Sequence, residues 1–179
     1  MVEYKGKKFE PFIYHDLIDR VISSLAEKVT ADLSDKKPIF LVVLNGAFMF
    51  AADLMRHLDF DCEVCFIRMS SYEGTESTGK VKEVLGIEQS LKGRSVVIVE
   101  DIVDSGTTLD ELMELIPKFE PAELKIATFL MKPENYHKKH PVDYVALRIP
   151  NEFVLGYGLD YDGYGRNLKD LYKLYEPES

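Results

Sequence analysis

The segment Val96–Thr108 constrains the fold of this chain most, because it joins a strand, an acidic pair and a polar turn without a break. It opens with four β-branched residues, Val96 to Val99, a pattern typical of a strand buried on both faces of a parallel sheet. Glu100 and Asp101 follow where that strand is expected to leave the core. Ligands bind at such strand ends, so the acidic pair is a candidate binding site.

The turn after this strand is predicted to begin a helix, since apolar residues recur at helical spacing from Leu109 to Ile116 and Pro117 marks its end. A helix N-terminus presents unpaired N–H groups and the positive end of the helix dipole. Gly106 would let the backbone approach a ligand closely. Hydroxyl donors come from Ser105, Thr107 and Thr108. This turn therefore suits a phosphate monoester.

The acidic residues beside that turn would repel a bare phosphate, so they are expected to face neutral hydroxyls or a divalent cation carried by the ligand. Ribose hydroxyls and Mg²⁺ meet both conditions. The simpler alternative is an ordinary core strand followed by a helix with Asp104 or Ser105 as its N-cap. That alternative leaves the adjacent pair Glu100 and Asp101 unexplained.

The run VVIVEDIVDSGTT resembles the phosphoribosyl-pyrophosphate (PRPP) signature of type I phosphoribosyltransferases, and its variant is similar to that of the hypoxanthine-guanine group. The resemblance implies an α/β fold with a doubly wound, mostly parallel sheet and a small hood built from the N- and C-terminal segments. It also implies purine salvage, in which Mg²⁺-bound PRPP gives its 5-phosphoribosyl group to N9 of hypoxanthine or guanine.

The order of predicted elements agrees with such a sheet, because strands alternate with helices as in a βαβ series. The predicted helices are Leu17–Val29, Phe48–Leu58 and the one after Thr108; the predicted strands are Ile39–Leu44, Glu63–Met69, Val96–Glu100, Leu124–Leu130 and Tyr144–Arg148. We found no internal repeat or low-complexity linker. With 179 residues and 46% hydrophobic content, residues 1–179 are expected to form a single domain.

The net charge of −9 argues against broad binding to nucleic acid or anionic membranes. The N-terminus has no hydrophobic signal core, so a cytoplasmic protein is expected. Cys62 and Cys65 form one C-x-x-C motif. Residues three apart in a strand point to opposite faces, so buried thiols are expected here and not a disulfide or a metal site.

The segment Leu44-Asn45-Gly46-Ala47 follows a strand and precedes a helix, so its amides could bind pyrophosphate; a plain connecting turn is the alternative. The resemblance identifies it as the pyrophosphate loop, in which a lysine and a cis peptide are common. Asn45 departs from that pattern and removes one cation. The resemblance adds Arg166 as a further pyrophosphate ligand, although a surface ion pair would also explain that residue.

The resemblance also locates a purine pocket near the C-terminus. It implies that Phe153 stacks on the base, that the Val154 backbone binds the base edge, and that Lys132 donates to O6. Asp160 would hold Mg²⁺ or a metal-bound water. Taken alone, each residue has a simpler interpretation, because a phenylalanine in a strand is usually core and a lysine is usually a solvated surface charge.

A polar segment lies between two predicted strands, and within it Ser71 and Tyr72 resemble the active-site lid of the family. Gly74–Val81 competes with this interpretation, since it matches the phosphate-binding loop G-x-x-x-x-G-K-[ST] except at Val81. Val81 has no hydroxyl to bind Mg²⁺, and Gly86 falls where a long helix should continue. The lid is the favoured interpretation, because it would exclude water from an activated sugar.

The resemblance assigns Glu100 and Asp101 to the ribose hydroxyls and to Mg²⁺, and Asp104 to the role of general base at purine N7. It further implies a homodimer or homotetramer. The alternative to an enzyme is a nucleotide-sensing regulator that keeps this fold without its chemistry. Such a regulator would usually lose the base or the lid, or add a nucleic-acid-binding surface. Because Asp104, Ser71 and Tyr72 are present, the enzyme is favoured.

Overall fold

The computed structural model describes residues 1–69, 86–87 and 89–177. Its helices are α1 (His15–Leu33), α2 (Phe48–Arg56) and α3 (Thr107–Leu115), the last continued by a 3-10 turn, Ile116–Phe119. Its strands are β1 (Val2–Tyr4), β2 (Lys7–Ile13), β3 (Ile39–Leu44), β4 (Glu63–Arg68), β5 (Ser95–Val103), β6 (Glu123–Met131), β7 (Tyr144–Arg148), β8 (Val154–Leu155) and β9 (Leu171–Leu174). No helix among the described residues is both long and apolar enough to cross a bilayer.

Five parallel strands form the central sheet, in the order β4-β3-β5-β6-β7. Alternate residues of its middle strands enter two separate cores, one on each face. Phe40 and Val42 pack with α1 and α2, whereas Ile39 and Leu41 pack on the face that carries α3. Burial on both faces explains why β3 and the start of β5 are almost wholly apolar. The predicted doubly wound sheet is confirmed.

The strand order creates a crevice between β3 and β5. The chain leaves β3 through α2 towards one side of the sheet, and it leaves β5 through α3 towards the other side. Such a reversal separates the two connecting loops at the carboxyl ends of the strands and is the usual ligand site of open α/β sheets. The Asn45–Ala47 loop and the Asp104–Gly106 turn therefore face a common opening.

The hood is the second sheet, β1-β2-β9-β8, which is antiparallel. Both chain termini contribute to it, as the resemblance implied. Tyr157, in the loop after β8, donates a hydrogen bond from its hydroxyl to Asp53 of α2 over 2.5 Å. Because Tyr157 is fully buried, this bond ties the loop after β8 to the helix that follows the Asn45–Ala47 loop.

The predicted boundaries differ from the structure mainly in β5. The predicted strand Val96–Glu100 ends too early, since β5 runs to Val103. Its pairing with β3 stops at Val99, but its pairing with β6 continues to Val103. Glu100 and Asp101 therefore lie in the part of β5 that is no longer paired with β3, which opens the crevice beside them. Smaller errors affect α2 and β4, which end at Arg56 and Arg68.

The two cysteines are not joined by a disulfide, as predicted. Cys65 is buried in β4, and its Sγ lies 3.2 Å from the Gly86 carbonyl oxygen. Cys62 precedes that strand and is half-buried, with its Sγ 4.0 Å from the sulfur of Met55. The expectation that both thiols are buried is therefore wrong for Cys62.

Candidate active site

Two loops and strand β5 meet at Gly46. A Cβ built at this glycine would lie 1.5 Å from Oδ2 of Asp101, so only a residue without a side chain allows the carboxylate to reach that position. Gly158 also approaches this loop closely, because a Cβ on Gly158 would lie 2.2 Å from the Gly46 carbonyl oxygen. The peptide bond Leu44–Asn45 is cis, in agreement with the expectation from the family. The predicted pyrophosphate loop is thus in contact with the acidic strand and with the C-terminal loop.

Arg166 joins this meeting point through two contacts. Its Nη1 donates to the Gly158 carbonyl oxygen over 2.7 Å, and its Nη2 lies 2.6 Å from Oδ1 of Asp160. The Gly163 N–H donates to the other oxygen of Asp160. The ion pair considered as the alternative for Arg166 is therefore present, and both of its side chains are less than one third exposed. Arg166 is held beside the crevice.

Of the acidic pair in β5, Glu100 is buried and Asp101 is half-buried. Glu100 is 5% exposed, and its Oε1 has no hydrogen-bond partner within the described part of the chain. Burial, with a further contribution from the charge of Asp101, raises the pKa of Glu100 well above its ordinary value. Burial also raises the pKa of Asp101, against hydrogen bonds from backbone N–H groups and the attraction of Arg166. A carboxylate with an unpartnered oxygen in a dry site is suited to receive a ligand hydroxyl or a cation.

Asp104 lies beyond the end of β5 and is bound at both oxygens. Lys132 donates to Oδ2 over 2.7 Å, and Asn135 donates to Oδ1 over 2.6 Å. Partial burial opposes ionisation of Asp104, but these two hydrogen bonds and the charge of Lys132 outweigh it and lower the pKa. Lys132 is 7% exposed, so it is not the solvated surface charge considered as an alternative. Asp104 and Lys132, the two groups predicted to face the purine, therefore form an ion pair.

The turn after Asp104 enters α3 through Gly106, which has φ +81° and is the N-cap residue. The alternative of an N-cap at Asp104 or Ser105 is therefore wrong, because no side chain caps this helix. The hydroxyls of Ser105 and Thr107 lie 3.0 Å apart. This leaves the first N–H groups of α3 directed at a cavity of about 240 Å³, lined by residues 100–109, Thr108 among them.

The predicted base-stacking residue lies at the surface. Phe153 is 47% exposed, and the edge-to-face contact with Tyr161 leaves part of its ring open. It is therefore not the core residue that its sequence context alone suggested. Val154 is buried in β8, where its backbone pairs with β9. Asn151, two residues before Phe153, accepts a hydrogen bond from Asn135, which connects this segment to Asp104.

Two residues of the site were not predicted from the sequence, and one predicted segment lies outside the described residues. Asn135 and Asn151 carry no motif, and their contact depends on the path of the chain around β7. The only local signal was the Lys132–Asn135 turn with Pro133, which positions two donors on one side.

The lid residues Ser71 and Tyr72, together with Gly74–Val81, lie outside the described residues. Among the described residues, no three His, Cys, Asp or Glu side chains cluster to hold a metal ion.

The phosphoribosyl transferase domain model matches residues 13–162. The chain belongs to the phosphoribosyltransferase family. It is 42% identical over 169 residues to the hypoxanthine-guanine phosphoribosyltransferase of Streptococcus pneumoniae strain R6, covering 94% of this chain and 93% of that one. The enzyme of the same name from Aquifex aeolicus is 37% identical over 174 residues, covering 96% and 98%.

A crystal structure of a hypoxanthine-guanine phosphoribosyltransferase from Bacillus anthracis superposes with a TM-score of 0.85 and 37% identity, covering 94% of this chain and 99% of that one. The predicted family and fold are therefore confirmed. So is the prediction of a phosphoribosyltransferase of purine salvage, as opposed to a phosphate-binding-loop enzyme. The site described above lies within the matched residues except for Gly163 and Arg166.

Replacing Glu100 with a neutral residue is expected to stabilise the ligand-free protein at alkaline pH. Its pKa is higher in the folded than in the unfolded chain, so the folded state binds more protons. This contribution to stability is complete below the unfolded pKa and is lost as the pH rises through the folded pKa. A Glu100→Gln variant removes that loss and should unfold with a free energy about 1 to 3 kcal/mol higher at pH 8.

Urea titrations at pH 5 and pH 8 test this. The difference between wild type and Glu100→Gln should be larger at pH 8, because the wild type carries more buried charge there than at pH 5. A matched Glu114→Gln variant on the exposed side of α3 should show no such pH-dependent difference. Equal differences at both pH values for Glu100→Gln would contradict the assignment of a buried, ionising carboxyl.

Proposed function

We propose that this chain transfers the 5-phosphoribosyl group from Mg²⁺-bound PRPP to N9 of hypoxanthine or guanine, with inversion at the anomeric carbon. The products are the nucleoside monophosphate and pyrophosphate. One observation carries the proposal: the acidic pair Glu100 and Asp101, the carboxylate of Asp104 and an uncapped helix N-terminus line a single cavity on one continuous segment, Glu100–Leu109. A sugar phosphate matches the order of these groups along the chain, because its hydroxyls can bind the acidic pair and its phosphate can bind the helix N-terminus.

The 5-phosphate would occupy the turn at the start of α3. Hydroxyl and backbone donors come from Ser105, Gly106, Thr107 and Thr108, and the helix dipole favours the negative charge of the phosphate. Gly106 is required by its left-handed backbone and by its surroundings, because a Cβ there would lie 2.6 Å from the ring of Tyr136. The loop around Tyr136 thereby closes the cradle on its outer side.

The ribose hydroxyls would lie against Glu100 and Asp101. Positive charge grows on the sugar as the anomeric carbon–oxygen bond breaks, and two fixed carboxylates nearby offset it. The unpartnered Oε1 of Glu100 supports this role, since a buried carboxylate oxygen without a partner is costly until a ligand donor arrives. Water would be excluded from the site in the same step.

The acidic residues fit Mg²⁺ that arrives with the donor. Glu100, Asp101 and Asp160 are the oxygen ligands available to it, directly or through water, and a protein normally supplies only one or two carboxylates when substrate phosphates supply the rest. When bound, the ion neutralises charge on the leaving pyrophosphate. Asn45, Gly46 and Arg166 would contact the same pyrophosphate, and Arg166 would have to share its guanidinium with Asp160.

The purine would lie between Phe153 and the Asp104–Lys132 pair. Phe153 has an exposed ring for stacking, and the Val154 backbone lies beside it for the base edge. Lys132 would donate to O6, and Asp104 would accept the N7 proton as N9 forms its bond to the sugar. The ion pair would thus divide between two atoms of the base. A 6-oxopurine offers an acceptor and a donor at this spacing, whereas adenine offers a donor at position 6.

Measuring pyrophosphate release tests the proposal directly. The protein is supplied with PRPP, Mg²⁺ and one base at a time: hypoxanthine, guanine, xanthine, adenine or uracil. We expect turnover with 6-oxopurines and none with uracil. Tight binding of PRPP without release for any base would favour a nucleotide-sensing regulator. We also propose a homodimer or homotetramer, which light scattering during gel filtration measures.

A further inference from the structure

The turn that follows β6 presents two donors to the same carboxylate. Asn135 N donates to the Lys132 carbonyl oxygen over 3.1 Å, which closes a turn with Pro133 at its second position. Lys132 N in turn donates to the Val103 carbonyl oxygen over 2.9 Å, beside Asp104. The side chains of Lys132 and Asn135 are therefore fixed relative to Asp104 by backbone hydrogen bonds.

The Asn135 side chain uses both of its amide hydrogens. Nδ2 lies 2.6 Å from Oδ1 of Asp104 and 2.9 Å from Oδ1 of Asn151. Two oxygen acceptors on the same side require the NH₂ end there, which fixes the orientation of the amide. Asn135 thus bridges the acidic residue beyond β5 and the segment that leads into Phe153 and Val154.

The two donors to Asp104 would have different fates when a base binds. Lys132 would be drawn to O6, which removes the strongest support of the Asp104 carboxylate at the moment it must accept a proton. The bond from Asn135 approaches the other oxygen and makes no demand on the purine. It can persist throughout the reaction and keep the plane of the carboxylate fixed.

We propose that Asn135 is a positioning residue: it orients Asp104 for proton transfer and couples that orientation to the purine-binding segment through Asn151. The inference rests on the proposed function, because it takes Asp104 as the group that accepts the N7 proton. Asn135 contacts neither substrate in this scheme and acts through Asp104. Besides Asn135, this carboxylate faces the charged side chain of Lys132.

The test compares Asn135→Ala with Glu134→Ala, an exposed residue of the same turn. We expect Asn135→Ala to lower kcat/KM for hypoxanthine about tenfold, the loss typical of one hydrogen bond to a charged group, with the Kd for PRPP unchanged. The acid limb of its kcat/KM profile should move to higher pH, because the carboxylate loses a donor. Glu134→Ala should match the wild type in both respects.

An unchanged acid limb in folded Asn135→Ala would overturn the proposal, whatever the loss of rate, since a merely structural defect does not alter the ionisation of Asp104. If Asn135→Ala fails to fold, Asn135→Asp replaces it, because it keeps the shape and turns the hydrogen bond into a repulsion. The same upward shift is expected, and its absence is equally decisive against the proposal.

The coupling to the purine segment has its own readout. Asn151→Ala should raise the KM for hypoxanthine about threefold, and its effect should be non-additive with that of Asn135→Ala. Additive effects would exclude the coupling. Failure of the proposed function has a different signature: wild-type protein would then release no pyrophosphate with any base, so no acid limb could be compared.

Discussion

Replacing Asp104 with alanine should reduce kcat for hypoxanthine by about 10²- to 10⁴-fold and leave the Kd for PRPP within about threefold of the wild type. The reason lies in the position of the carboxylate. Asp104 is beyond the acidic pair that would hold the ribose, and both of its oxygens face donors on the side of Lys132 and Asn135. It would therefore serve the base and not the sugar.

Steady-state kinetics with hypoxanthine and calorimetric titration with Mg²⁺-PRPP separate the two quantities. Asp104→Asn keeps the shape of the side chain and should lose turnover similarly, because an amide cannot take up the proton. Glu114→Gln removes a carboxylate from the exposed side of α3 and serves as the control. Equal losses of PRPP affinity and turnover in Asp104→Ala would assign the residue to donor binding.

Replacing Gly46 with alanine should be comparably severe, with a loss of about 10²-fold in PRPP affinity. The added Cβ would lie 1.5 Å from Oδ2 of Asp101, and this carboxylate cannot easily retreat, because its other oxygen accepts a hydrogen bond from the Ile102 N–H over 2.8 Å. Either the Asn45–Ala47 loop or Asp101 must move. Both would contact the donor, and overpacking of this kind also costs about 1 to 3 kcal/mol of stability.

Calorimetric titration with Mg²⁺-PRPP and thermal unfolding measure the two effects of Gly46→Ala. The matched control is Gly93→Ala in the turn before β5, since a Cβ at that glycine meets nothing within 4 Å. Gly93 has φ +70°, so its variant carries backbone strain without a clash and should keep its PRPP affinity. Wild-type affinity in Gly46→Ala would show that the loop and Asp101 do not bind the donor together.

Much of the sheet could be predicted because burial on both faces leaves a direct trace in the sequence. The strands Ile39–Leu44 and Tyr144–Arg148 have the predicted bounds, since both are short apolar runs between polar turns. The end of β5 could not be predicted in the same way. Its last residues pair on one side only, and whether a neighbouring strand continues depends on another part of the chain.

In the candidate site, too, the residues of one segment could be predicted, whereas their partners from other parts of the chain could not. The order of Glu100, Asp101 and Asp104 before a helix predicted a sugar-phosphate site from one segment, since local spacing determines which groups follow a strand. The partners of those groups come from distant segments. Lys132 and Asn135 lie 28 and 31 residues from Asp104, and Gly46 of another loop lies against Asp101. No local pattern predicts such contacts.

The sequence by itself determined the α/β class, the family and the segment that carries the acidic residues, because apolar periodicity and a continuous motif are properties of neighbouring residues. Only the tertiary structure decided how those residues are charged and held. The burial of Glu100, the close approach of Asp101 to Gly46 and the pairing of Asp104 with Lys132 depend on where β3, β6 and the C-terminal loop meet β5. Solvation and distance set the pKa of a carboxyl, and both are fixed by packing.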